Sequence, residues 1–147
     1  MKINTSYFYK VRFLNPNQIP ISTALSDPKW FHENLGNGHK FIDKNGVLNG
    51  IRAEFLKPGN TCHNLCHGKD SCNGTPTNCS FLKEYRNQIF SLDYEECMSK
   101  FSKLGKMLKN LIGFDGEPEI VLLVHEAPTN ECSERKVLQD FFKCEEL

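Results

Sequence analysis

The stretch that decides the fold class is Glu119-Ile120-Val121-Leu122-Leu123-Val124-His125. Its apolar run is unbroken and follows the turn-forming residues Gly113, Gly116 and Pro118. A strand that faces water on one side alternates polar and apolar residues; a run that is apolar at every position must be covered on both faces. That is the habit of a parallel strand between two layers. Ahead of it, Asp93 to Asn110 carries Met98, Phe101, Leu104, Leu108 and Leu111 at helical spacing, and Asp93 with Glu96 has the form of a capping box. Behind it, Pro128, Thr129 and Asn130 form a loop. A closing helix then begins near Cys132 or Ser133 and presents Val137, Leu138, Phe141 and Phe142 on one face. The result is an αβα unit.

The N-terminal half reads as βαβ. Lys2 to Thr5 and Gln18 to Ser22 are short strands, separated by a short helix that carries Tyr7, Phe8, Val11 and Leu14. Gly36, Asn37, Gly38, Asn45, Gly46, Asn49 and Gly50 crowd a loop, and Ile51 to Leu56 reads as a further strand. The expected architecture is α/β: a small open, mostly parallel sheet flanked by helices. It forms one domain over residues 1–147, with a cysteine-rich insertion at about 57–82.

Composition agrees with a globular chain able to bury its own core, since 39% of the residues are hydrophobic and 24% are charged. Lys+Arg and Asp+Glu both number 18, so no net field draws in nucleic acid or an anionic membrane, and both are disfavoured as partners. The opening Met1-Lys2-Ile3-Asn4-Thr5-Ser6 lacks the apolar core of a signal peptide, and no window has the length and apolarity of a membrane span. These features lead us to expect a cytoplasmic location. In such a reducing compartment the seven cysteines, an odd number, point to metal or catalysis rather than to disulfides.

Four thiols and two imidazoles fall between Thr61 and Cys79, in a segment too rich in Gly, Asn and Pro to build a core. Cys62, Cys66, Cys72 and Cys79 suit a tetrahedral structural zinc ion, which would order such a loop, with His63 and His67 as alternative ligands. The gaps between these cysteines are not the paired two-residue gaps of ordinary zinc fingers, and unmetallated thiols and disulfides are the competing readings.

A second constellation follows the apolar strand. In open α/β sheets, ligands bind beyond the carboxyl ends of the strands, where helix N-termini meet anions. Glu126 stands at that strand end, and Cys132 and Arg135 stand at the start of the last helix. As catalytic candidates, Glu126 is a base or orienting group, Cys132 an activated thiol and Arg135 a clamp for phosphate or carboxylate. The plain structural alternative is a Glu126–Arg135 ion pair that fastens the loop to the helix. Ser6 and Tyr7 after the first strand, and Ser22 after the second, would open into the same crevice. Trp30 offers a stacking surface for a base, or a packed core residue. Lys100, Lys103, Lys106 and Lys109 recur on one helix face, where solvation is the simpler account than nucleic acid.

Taken in order, Thr5-Ser6-Tyr7-Phe8, Ile19-Pro20-Ile21-Ser22 with Pro28-Lys29-Trp30-Phe31, Cys79-Ser80-Phe81-Leu82-Lys83-Glu84-Tyr85, and Glu126 to Cys132 to Arg135 give a chain that resembles the bacterial and phage domain-of-unknown-function family 488. The resemblance runs over nearly the whole length. It implies the α/β fold and the location of the site; the family's activity is not established. Where that family commonly has a cysteine two residues before the glutamate and a Cys-His-Arg triplet, this chain reads Val124 and Cys132-Ser133-Glu134-Arg135.

The sequence contains no Walker loop, G-x-G-x-x-G, H-E-x-x-H or nucleophile elbow, which argues against those enzyme classes. The expected function is recognition of a small anionic ligand, nucleotide-like or nucleobase-like, at the carboxyl edge of the sheet. A protein-interaction factor, such as a phage-encoded inhibitor, and a nucleic-acid-associated accessory protein are the alternatives.

Overall fold

The computed structural model describes residues 1–33, 41–59 and 76–147. Within them the strands β1 (Lys2–Tyr7), β2 (Gln18–Ser22), β3 (Ile51–Arg52) and β4 (Glu119–Val124) form one sheet in the order β1-β4-β2-β3. Every pairing between these strands is parallel. β4 is central, and all six of its residues are buried, which accounts for the unbroken apolar run. Its one charged residue, Glu119, accepts from Asn4 Nδ2 at 2.5 Å and Gln18 Nε2 at 3.2 Å, so the neighbouring strands satisfy its carboxylate.

Three α-helices, α1 (Ser80–Phe90), α2 (Tyr94–Ile112) and α3 (Arg135–Phe142), pack on one face of the sheet. Ile3, Ile19, Ile21, Ile120 and Leu122 meet Tyr85, Ile89, Phe101, Leu138 and Phe142 there. The opposite face, with Val121 and Leu123, is covered without a long helix: 3-10 turns at Phe8–Phe13 and Lys29–His32 bring in Phe8, Val11 and Phe31, and Val47 completes the layer.

α2 is capped at both ends. The Asp93 side chain accepts from Glu96 N at 3.0 Å, and Gly113, at φ 80°, closes the helix in the left-handed conformation that glycine tolerates. Gly105 sits where the helix crosses the start of β4, and a Cβ there would stand 2.9 Å from Pro118 Cβ. The outer edge of β1 is also covered: Thr5 N donates to Glu145 O at 2.9 Å, and Leu147 N donates to Thr5 O at 2.8 Å.

Several local expectations change. The expected strand Ile51 to Leu56 pairs only at Ile51–Arg52, then turns into a 3-10 segment, Glu54–Leu56, that buries Ala53 and Leu56 together. β1 runs on to Tyr7, and the following segment is 3-10 rather than α. α3 starts at Arg135, after a bent stretch at 131–133. Leu111, assigned to the apolar face of α2, is 74% exposed. α1 was not anticipated, and it occupies residues 80–82 of the expected insertion. Of the four expected zinc ligands, Cys62, Cys66 and Cys72, like His63 and His67, lie outside the described residues. Cys79 is buried at the N-terminal end of α1.

Candidate functional site

α1 and α3 bring their first turns to one cleft of about 570 Å³, closed on the third side by the loop that leaves β4. Lys83 and Arg86 come from α1, Lys136 from α3, and Asn130 and Glu131 from the loop. The local sequence explains the arrangement. On α1, Phe81, Leu82, Tyr85 and Ile89 are buried, so Lys83 is turned outward; on α3, Val137, Leu138, Phe141 and Phe142 are buried and Lys136 faces solvent.

Asp140, on α3, joins that helix to α1 through Arg86. Its carboxylate takes Arg86 Nη2 at 2.8 Å and Lys136 Nζ at 3.0 Å. Burial pushes the Asp140 carboxyl up, but the hydrogen bonds from Arg86 and Lys136 outweigh it and hold it below the usual carboxylate range. Lys83 has no carboxylate partner among the described residues. With Asp140 and the exposed Glu131 set against Lys83, Arg86 and Lys136, two carboxylates face three cations, at a place that two helix N-termini already make favourable to anions.

Arg135 is at this cleft but is committed elsewhere. Its side chain is only 8% exposed, and its Nε donates to Glu146 Oε1 at 2.6 Å. Nη2 donates to the main-chain oxygen of Glu126 at 2.6 Å and Nη1 to that of Ala127 at 3.3 Å, while the guanidinium carbon lies 5.9 Å from the Tyr7 ring centroid. Glu146 also accepts from Thr5 Oγ1 at 2.9 Å, and Gln139 Nε2 donates to the same hydroxyl at 2.8 Å. The arginine thus ties together the loop after β4, the segment beyond α3 and the end of β1. Its contact with Glu126 is to the backbone. Glu126 itself is half-buried.

Cys132 is half-buried, and its N–H donates to Asn130 Oδ1 at 2.9 Å. It precedes the first helical residue, Arg135, so it is not on the first turn of α3. Ser133 Oγ accepts from Arg135 N at 3.2 Å and so takes up one of the helix's first N–H groups.

Ser6 and Ser22 do not reach this cleft. In register, Ser6, Leu123 and Ser22 lie side by side, and Leu123 belongs to the layer opposite the helices. Ser6 Oγ is buried with no hydrogen-bond partner among the described residues, beside a cavity of about 250 Å³ that Lys10, Asn15 and Gln18 also line. Trp30 packs edge-on against Phe8 and Phe31, with centroids 6.3 Å and 5.9 Å away.

Ser22 belongs to a network that sequence reasoning missed. Its hydroxyl and Arg52 Nη1 both donate to Asp27 Oδ1, and His32 Nε2 lies 2.5 Å from Asp27 Oδ2. Arg52 also donates to Ala24 O at 2.6 Å and pairs with Glu54 at 2.9 Å. Burial pushes the Asp27 carboxyl up, but the bonds from Arg52, Ser22 and His32 prevail and lower it; the Arg52 guanidinium, desolvated yet paired with Asp27 and Glu54, is raised. With its side chain 3% exposed and its carboxylate taken up by these groups, Asp27 fixes the loop after β2 to β3.

No family model matches the chain, and neither a curated protein nor a solved structure is significantly similar to it. These comparisons lend no support to the resemblance to family 488 expected from the sequence. Among the described residues no group of His, Cys, Asp and Glu is arranged to hold a metal ion, and no helix is long and apolar enough to cross a membrane.

Proposed function

We propose that the protein binds a small anionic molecule carrying a phosphate, nucleotide-like in size, in the cleft between α1 and α3. The observation that carries this reading is the convergence of Lys83, Arg86 and Lys136 on a cavity of about 570 Å³ bordered by the first turns of both helices. That volume lies within the range of ordinary small-molecule sites. The site stands beyond the carboxyl end of β4, where α/β sheets commonly place ligands. The cations differ from those first expected: Lys83 and Lys136 are exposed and able to follow a ligand, whereas Arg135 is already bonded on three sides.

The test is calorimetric titration with inorganic phosphate, AMP and ADP, wild type against Lys83→Ala/Lys136→Ala. A charge-assisted contact is worth about 1.5–3 kcal/mol, so losing even one should weaken binding by roughly tenfold or more, with the melting temperature kept. Equal affinity in both proteins, or no heat with any of the three probes, would remove this reading.

We also propose a structural zinc ion on Cys62, Cys66, Cys72 and Cys79, supported by four thiols in a segment with no apolar means of ordering itself. Elemental analysis of untagged protein purified without chelator is expected to find about one zinc per chain, as a closed four-ligand site implies. Metal-free protein with reactive thiols at all four positions would refute it.

A further inference from the structure

The segment Phe8-Tyr9-Lys10-Val11-Arg12-Phe13 folds as a 3-10 helix, whose period of three residues dictates what it shows to solvent. Phe8, Val11 and Leu14 fall in register and go into the core. The two remaining rows pair a cation with an aromatic ring: Arg12 stands over Tyr9 at 4.3 Å from the ring centroid, and Lys10 over Phe13 at 5.7 Å. Both rings are left in water, Tyr9 53% and Phe13 62% exposed. Their centroids are 6.0 Å apart, and Tyr7 continues the row, stacked on Tyr9 at 6.1 Å and 20°.

The surface continues past Arg12. With Trp30 and Lys44, Arg12 lines a cavity of about 260 Å³. Lys10, Arg12, Lys29 and Lys44 are all exposed, and none forms an ion pair with a carboxylate among the described residues. Of the four carboxylates in residues 1–59, Asp27 is held by Arg52 and its neighbours, Asp43 accepts from the N–H groups of Asn45 and Val47, Glu54 is exposed but paired with Arg52, and Glu33 is exposed.

A net charge of zero hides a separation that matters for partners. Residues 1–59 contain eight Lys and Arg against four Asp and Glu, and residues 60–147 contain ten against fourteen. The overall balance that argued against nucleic acid is therefore not that of the segment carrying the strip, where Lys10, Arg12, Lys29 and Lys44 are left without carboxylate partners among the described residues.

We infer that this strip, Tyr9, Phe13, Arg12 and Lys10 continuing to Trp30 and Lys44, is a binding surface for single-stranded nucleic acid. Rings exposed side by side stack on unpaired bases whatever their sequence, and unpaired cations between the rings meet the phosphates. An apolar partner would not need four cations without carboxylate partners, and a polyanion without bases would not need the rings. In the lysine row of α2 Lys100 stands over the half-buried Phe55 ring at 4.7 Å, but among the described residues no row of exposed rings runs between the lysines. Lys100 also pairs with Glu96 at 3.5 Å, and Lys109 donates to Gly116 O at 2.6 Å.

The experiment is fluorescence anisotropy of a labelled fifteen-nucleotide oligo-dT with the full chain. Wild type is expected to bind at low salt and to weaken steeply as salt rises. Tyr9→Ala/Phe13→Ala should weaken binding by roughly tenfold or more, since each base lost from a ring costs about that much, and Tyr9→Phe should keep most of the binding that Tyr9→Ala loses. Arg12→Ala/Lys44→Ala should weaken binding and flatten the salt dependence. Lys100→Ala/Lys103→Ala/Lys106→Ala should leave it unchanged. These exposed positions bear little of the core, and a thermal melt identical to wild type checks that each variant is folded. Three results overturn the inference: no oligo-dT binding at low salt, equal binding by wild type and the aromatic double variant, or loss of binding in the α2 lysine variant. Self-association that Tyr9→Ala/Phe13→Ala abolishes, without oligo-dT binding, would assign the strip to a second copy of the chain instead.

Discussion

Asp27→Asn is expected to lower the free energy of unfolding by about 3 kcal/mol, a large share of the roughly 5–15 kcal/mol that holds a domain of this size together. The Asp27 side chain is 3% exposed and that of its Arg52 partner 19%, and the pair is completed by Ser22, His32 and the Ala24 carbonyl. Removing one charge of such a pair leaves the other desolvated without compensation. The cost belongs to the low end of the range of about 3–5 kcal/mol because Arg52 keeps Glu54 as a second, solvated partner. Urea unfolding of the two proteins measures it, and a difference below about 1 kcal/mol would mean that the network is solvated and contributes little.

The same network sets a pH dependence. The folded-state pKa of Asp27 lies below its ordinary value of 3.8, so folding favours the charged form. The stabilisation is complete above the ordinary value and is lost as pH falls through the lowered one. Wild-type stability should fall in acid below about pH 4, and Asp27→Asn should lack this component while retaining those of Glu54 and Asp140, which are lowered too.

How far the structure was legible depends on whether the cause was local. β4 was readable because a parallel strand covered on both faces is apolar along nearly its whole length, here Ile120 to Val124, and Gln18–Ser22 because the turn at Pro16-Asn17 sets its start. α2 announced itself through Asp93 and Glu96. α1 did not, although Phe81, Leu82, Tyr85 and Ile89 share a face: its cap position is Cys79, which makes no side-chain cap bond, and the Gly/Asn/Pro-rich residues before it drew the reading toward a loop. Missing α1 meant missing Lys83 and Arg86. The row that places Ser6 and Ser22 beside Leu123, away from α3, follows from strand register, which no single strand reveals. Asp27 and Arg52 meet only because β3 pairs with β2. The nearness of Arg135 to Glu126 was visible in the spacing, but the carboxylate that takes Arg135 comes from Glu146, which the pairing of the final residues with β1 puts in place.

Arg135→Ala is expected to cost about 2–3 kcal/mol of stability. The side chain is 8% exposed and donates to one carboxylate and two carbonyls, and hydrogen bonds from a charged group are worth about 1.5–3 kcal/mol each before the cost of leaving acceptors unpaired is counted. Against the full sum stands the 24% exposure of Glu146, which lets water reach that carboxylate once the guanidinium is gone. Arg135→Lys should recover only part of the loss, because one ammonium cannot span Glu146, Glu126 and Ala127 as a planar fork does. The comparison with the cleft lysines separates tie from clamp. Lys83→Ala/Lys136→Ala should weaken phosphate or nucleotide binding and leave unfolding within about 0.5 kcal/mol of wild type, as surface substitutions usually do. Arg135→Ala should do the reverse, lowering stability first and affecting affinity only to the extent that the loop after β4 loosens. An Arg135→Ala protein as stable as wild type but binding phosphate ten times more weakly would show that the guanidinium leaves Glu146 for the ligand, and would return Arg135 to the role of anion clamp.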